Sequence, residues 1–145
     1  MELYTIGFTK KTAEEFFELL KGAGVRRLVD VRLNNVSQLA GFAKRDDLRY
    51  FLREICDADY VHVPLLAPEE DLLKAYRDKR VSWEEYEPRY QETLAKRQVE
   101  RMLDRSLFDV PVVLLCSEPT AEKCHRRLAA EYLAEAWGDV NITHL

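Results

Sequence analysis

The chain has 145 residues, a formal net charge of −4 and 47% hydrophobic residues, with only five glycines and five prolines. That length supports one domain with a full hydrophobic core, and the composition excludes low-complexity and disordered classes. The acidic balance argues against a broad nucleic-acid-binding face. The longest apolar run, Val110 to Cys116, is far short of a bilayer span, so no membrane partner is expected. The first residues, Met-Glu-Leu-Tyr-Thr-Ile-Gly, show neither a basic nor an apolar leader region. Three cysteines are an odd number without a disulfide framework, and a reducing cytoplasmic location is the expectation.

Residues 3–6 read as a first strand, halted by Gly7. Thr12 and Glu15 form a capping box, with Phe16, Phe17 and Leu20 as the apolar stripe behind it. Gly22 and Gly24 stop that helix. Residues 27–32 are a second strand, apolar enough for burial on both faces. Residues 34–44 form a loop, and Leu48, Phe51, Leu52 and Ile55 then recur at helix spacing. A third strand covers 59–63 and closes at Pro64. Pro68-Glu-Glu-Asp opens a short helix carrying Leu72, Leu73 and Tyr76. Ser82 and Glu85 form another capping box, and Pro88 is expected to break or kink that element after one turn. A longer helix follows through Tyr90, Leu94, Val99, Met102 and Leu103. Residues 111–116 are the next strand, 121–137 the last helix and 140–144 a final strand. Strands alternating with helices predict a single three-layer α/β domain, residues 1–145, with a mostly parallel sheet.

The chemistry concentrates where the fourth strand meets the last helix, in Cys116-Ser117-Glu118 and Cys124-His125-Arg126-Arg127. Alternation along the strand sends Val112, Leu114, Cys116 and Glu118 to one side. With Thr120 as the helix N-cap, His125 and Arg126 lie above a helix N-terminus that favours an anion and a thiolate. The bland alternative makes Cys116 one more core residue and packs Cys124 against Leu128 and Tyr132. Asp30 and Arg32 share a face at the end of the second strand, either as site carboxylate and anion ligand or as a structural ion pair. Gly7 ends the first strand, where a bare backbone admits a ligand or a tight turn. His62 reads as a satisfied core histidine, and Trp83, Tyr86 and Tyr90 as core or interface residues.

A metal at Cys116, Cys124 and His125 would take His62 or Glu118 as a fourth ligand. The Cys-x7-Cys-His spacing is looser than in structural zinc sites. Adjacent residues on one helix also point to different sides. No metal and no cofactor are therefore expected. Glu122 occupies the arginine position of a phosphatase-type Cys-x5-Arg loop, and there is no Gly-x-Gly-x-x-Gly, P-loop or His-Glu-x-x-His signature.

Taken together, Tyr4-Thr5-Ile6-Gly7-Phe8, Val29-Asp30-Val31-Arg32, residues 60–64 and the two cysteine motifs, in that order, resemble the family of uncharacterised proteins known as domain of unknown function 488. The resemblance implies an α/β fold and a shared site, but no reaction. This chain carries Leu33-Asn34-Asn35-Val36-Ser37-Gln38 where the family often has a Pro- and Arg-rich loop, and Leu65-Leu66-Ala67-Pro68 where a Gly-rich turn is common.

The residues predict a pocket at the carboxyl edge of the sheet, walled by Gly7, Asp30, Arg32, Cys116, Glu118, His125 and Arg126. Arg32 and Arg126, with Gly7 and His125, would bind an anionic group, such as a phosphorylated or nucleotide small molecule. Glu118 or Asp30 would be the acid–base group and Cys116 the nucleophile. The alternative is a non-catalytic module for nucleic acid or a nucleotide signal, with Arg26, Arg27, Lys44, Arg45, Arg49 and Arg53 as basic surface. Oligomeric state is not legible.

Overall fold

In the computed structural model, which describes residues 1–35, 41–118 and 121–145, five parallel strands form one sheet in the order β3-β2-β4-β1-β5. The strands are β1 (Glu2–Gly7), β2 (Arg27–Asp30), β3 (Asp59–His62), β4 (Val112–Cys116) and β5 (Asn141–His144). Helices α1 (Ala13–Gly22) and α2 (Arg45–Phe51) cover one face. Helices α3 (Glu70–Arg77), α4 (Trp83–Arg97), α5 (Val99–Met102) and α6 (His125–Trp137) cover the other. The expected three-layer α/β domain is what the chain builds. No helix among the described residues is long and apolar enough to cross a membrane.

β4 explains the layering. All five of its residues are buried. Val112, Leu114 and Cys116 feed the core under α4 and α6, while Val113 and Leu115 feed the core under α1 and α2. Period-two alternation thus drives helices onto both faces. At about 25 cal/mol per Å² of apolar area removed from water, such side chains each contribute about 1.5–3 kcal/mol.

Four expectations about helices need correction. α4 runs through Pro88 without a break, because its buried stripe of Trp83, Tyr86, Tyr90 and Leu94 spans both sides of the proline. The helix stops instead at Gln98, which turns left-handed at φ 52°. Met102, read as part of a continuous stripe, is consequently 67% exposed on the separate short α5. Ile55 is 39% exposed for a related reason: α2 widens into a π-turn over Leu52–Cys56, which changes the residues-per-turn count.

The last helix begins at His125 rather than at residue 121. Its N-cap is Cys124, in extended conformation at φ −139° and ψ 139°. This conformation buries the Cys124 side chain beside Cys116 and leaves Glu122 and Lys123 exposed. Thr120 as N-cap, and Val36, Ser37 and Gln38 of the variant loop, lie outside the described residues.

Pro88 is exposed, so its ring adds no core packing, yet it removes the bond its N–H would give to Glu84. Pro88→Ala should therefore stabilise the protein, by about 1–3 kcal/mol. Urea unfolding followed by far-UV circular dichroism checks this, and a loss of stability would show that the proline is needed where it stands.

Candidate functional site

The carboxyl ends of β1, β2 and β4 meet at one edge, where Gly7 pairs in register with Cys116 and Asp30 with Leu115. Cys116 is 3% exposed. Its Sγ lies 3.3 Å from His125 Nδ1 and 3.7 Å from Nε2. His125 Nε2 also sits 2.9 Å from the Val31 carbonyl, which can only accept, so Nε2 carries the proton; the near-equal distances to both nitrogens place the sulfur over the face of the ring. Tyr90 and the imidazole pack edge-to-face with ring centroids 5.5 Å apart, which holds the ring.

Burial alone would raise the Cys116 thiol. A hydrogen bond from Cys124, the Arg126 charge and the backbone N–H groups of Ser117 and Glu118 outweigh it and leave Cys116 below the ordinary thiol range. Cys124 goes the other way, pushed well above that range by burial and by its bond to Cys116. Cys124 is the donor and Cys116 the acceptor.

The ligand atoms of Cys116, Cys124 and His125 all lie within 4.8 Å of one another. The expectation that Cys124 and His125 diverge is overturned. Cys124 is extended rather than helical, so the 100° turn between adjacent helical residues does not separate them. Among the described residues, these three side chains form the cluster that could hold a metal ion.

Asp30 is fully buried and committed. Its Oδ1 accepts from the Arg32 backbone N–H at 3.1 Å and from Nε at 2.9 Å; its Oδ2 accepts from Arg32 Nη2 at 2.8 Å and from the Tyr60 hydroxyl. The Tyr60 hydroxyl accepts in turn from Asn35 Nδ2 at 3.0 Å. Burial and the Asp30 charge push the Tyr60 hydroxyl far up, so it remains the donor. Asp30 does not reach the cavity; it orients Arg32, whose guanidinium lies over Phe8 and which does line the cavity.

Gly7 and Arg126 stand behind the segment that follows β4, not in the cavity wall. A Cβ on Gly7 would fall 1.5 Å from the Glu118 carbonyl oxygen. Arg126, fully buried, donates from Nη1 to that same oxygen at 2.6 Å, and its Nε and Nη2 have no partner. Thr9 N–H bonds the Ser117 carbonyl at 3.1 Å and pins the segment from the other side. His62, as expected, is satisfied, through Nε2 on the Arg32 carbonyl at 2.8 Å.

Above the sulfur–imidazole floor opens a cavity of about 630 Å³. Tyr76, Trp83 and Tyr86 make an aromatic wall, with Trp83 and Tyr86 stacked at 5.3 Å. Arg32, Arg77 and Lys123 bring three cations to the lining against the single carboxylate of Glu118. Sequence reasoning missed Trp83, Tyr86, Arg77 and Lys123. The aromatic spacing on α4 was visible as a stripe, but where its end opens was not. The basic surface of the alternative reading is largely neutralised: Arg26, Arg27, Arg45 and Arg53 pair with Asp57, Asp59, Asp46 and Glu54.

Fold and site define an α/β domain with a cysteine–histidine centre at the strand ends beneath a basic, aromatic-walled cavity. The chain belongs to the family described as Domain of unknown function DUF488, whose model matches residues 12–133. No curated protein and no solved structure matched it.

Two substitutions check the framework. Asp30→Asn removes one partner of a buried ion pair and should cost about 3–5 kcal/mol, read by denaturant unfolding; a change within error would show that Arg32 does not depend on it. Gly7→Ala drives a methyl into backbone, an overpacking that costs about 1–3 kcal/mol or more, so a clear drop in melting temperature is expected.

Proposed function

We propose that the protein is an enzyme that takes a phosphorylated small molecule with an aromatic portion, nucleotide-like in class, into this cavity and acts on it at the Cys116–His125 floor. The observation that carries this reading is the convergence of three cations and a stacked aromatic wall on one sulfur–imidazole centre. The volume lies in the range of ordinary small-molecule sites.

Each group has a role that follows from its placement. Arg32 is pre-oriented by Asp30 through Nε and Nη2, which leaves Nη1 for an anionic oxygen. Arg77 and Lys123 add positive potential at the exposed end. Trp83, backed by the buried Tyr86, and the half-buried Tyr76 give the wall apolar surface for a flat ring. Glu118, exposed at the rim, is the carboxylate available for proton transfer. A nucleic-acid role has less behind it, since most of the basic surface it would use is already paired.

Calorimetric titration with nucleoside mono- and diphosphates and with inorganic phosphate tests the reading. Saturable binding that weakens as salt rises is expected, and Arg32→Ala should loosen it at least tenfold, a change of about 1.4 kcal/mol. Glu118→Gln should retain binding and lose conversion of the ligand that binds. No saturable binding of any of these compounds at low salt overturns the proposal.

A further inference from the structure

We infer that Cys116, Cys124 and His125 are the protein ligands of a zinc ion whose fourth coordination position opens into the cavity. The inference deepens the proposed function, on which it rests for the open position, but the ion site itself stands on geometry of its own.

The donor set comes first. Two thiolates and an imidazole form a soft set that suits zinc over the oxygen-loving divalent cations. All three residues are buried, at 3%, 2% and 7% exposure, and their ligand atoms lie within 4.8 Å of one another. Zinc–sulfur and zinc–nitrogen bonds of about 2.3 Å and about 2.0 Å put tetrahedral ligands about 3.5 Å apart. Cys116 Sγ lies 3.3 Å from His125 Nδ1 and 3.7 Å from Nε2, within ligand reach but over the ring face, so the imidazole turns about its Cβ–Cγ bond to bring the Nδ1 lone pair onto the ion.

The surrounding shell matches too. A ligating histidine characteristically gives its other ring N–H to a carbonyl or carboxylate, which fixes the ring. His125 does so with Val31 through Nε2, which leaves Nδ1 as the nitrogen without a proton and free to ligate. Tyr90 holds the ring through a T-shaped contact. Arg126, fully buried and without a carboxylate partner among the described residues, places a positive charge beside the thiolates.

Three protein ligands leave one position for a water or a substrate oxygen, the arrangement of a catalytic rather than a structural zinc. The three ligands line the cavity together with Arg32, Arg77 and Lys123. The group that meets the ion there is therefore an oxygen of an anionic ligand, a phosphoryl oxygen foremost. Cys56 is the internal control, since it is half-buried and bonded to the Phe17 carbonyl, away from the cluster.

The test uses the full chain purified without chelator and analysed for metals. About one equivalent of zinc is expected, lost in Cys124→Ser and His125→Asn and kept in Cys56→Ser. Because a ligand variant can fail to fold, the wild-type protein is also stripped and titrated with cobalt. Saturation at one equivalent, with the visible bands of a tetrahedral site and a sulfur-to-cobalt charge-transfer band, supports the inference. Absence of zinc on isolation together with no cobalt uptake at micromolar metal overturns it, as does a Cys116–Cys124 disulfide in the protein as isolated. Metal loading is read without any nucleotide present. A protein that holds zinc but binds no nucleoside phosphate or phosphate therefore removes the proposed function and leaves the ion site. One that binds nucleotide without metal does the reverse.

Discussion

The structure depends on a single short strand that is buried on both faces. β4 lies between β1 and β2, and every one of its side chains enters a core. A parallel strand in that position needs a helix layer on each side, because neither face can be left to water. Parallel strands also bring all carboxyl ends to one edge. Gly7, Asp30 and Cys116 meet there for that reason and not because they are close in sequence.

At that edge polar groups have been taken out of water, and each commitment shapes the next. Asp30 and Arg32 satisfy one another almost completely, with Tyr60 and Asn35 completing the network. A buried charge pair of this kind gives little net stability, but it fixes the direction in which the guanidinium points. Arg126 is the harsher case, a buried guanidinium with two N–H groups unmatched. Its one strong bond holds the Glu118 carbonyl over Gly7, so the residues after β4 are clamped between a glycine that yields space and an arginine that pulls. The same clamp turns the Ser117 and Glu118 N–H groups toward the Cys116 sulfur.

The two thiols differ because their surroundings do. Cys116 ends a strand, next to free amides and a buried cation; Cys124 ends a loop, with mainly apolar neighbours and the Cys116 sulfur to donate to. Opposite responses to the same burial follow. The cavity above them mixes aromatic faces with Arg77, Lys123 and the Asp30-held Arg32, whereas the arginines on the far side of the domain are matched to acidic neighbours. Charge is left unbalanced where the sulfur and imidazole lie.

Much of this was legible in the sequence. Period-two alternation in β4 and apolar runs in β2 determined a doubly covered parallel sheet, because burial on alternate faces is a local property of a strand. The pairing of Cys116 with His125 was visible as a cluster, and the capping boxes at Thr12 and Ser82 marked helix starts that the structure keeps. Local rules failed where tertiary burial outweighed them. Pro88 stays inside α4 because the aromatic stripe on either side of it is buried as one face. Cys124 is extended, against the expected helix, because its side chain is drawn into the floor beside Cys116. Only the fold could show that Asp30 serves Arg32, that Gly7 and Arg126 stand behind the site, and that Trp83, Tyr86, Arg77 and Lys123 complete it. Those relations join residues far apart in the chain, and the chain sets them only once two helix layers have closed on the sheet.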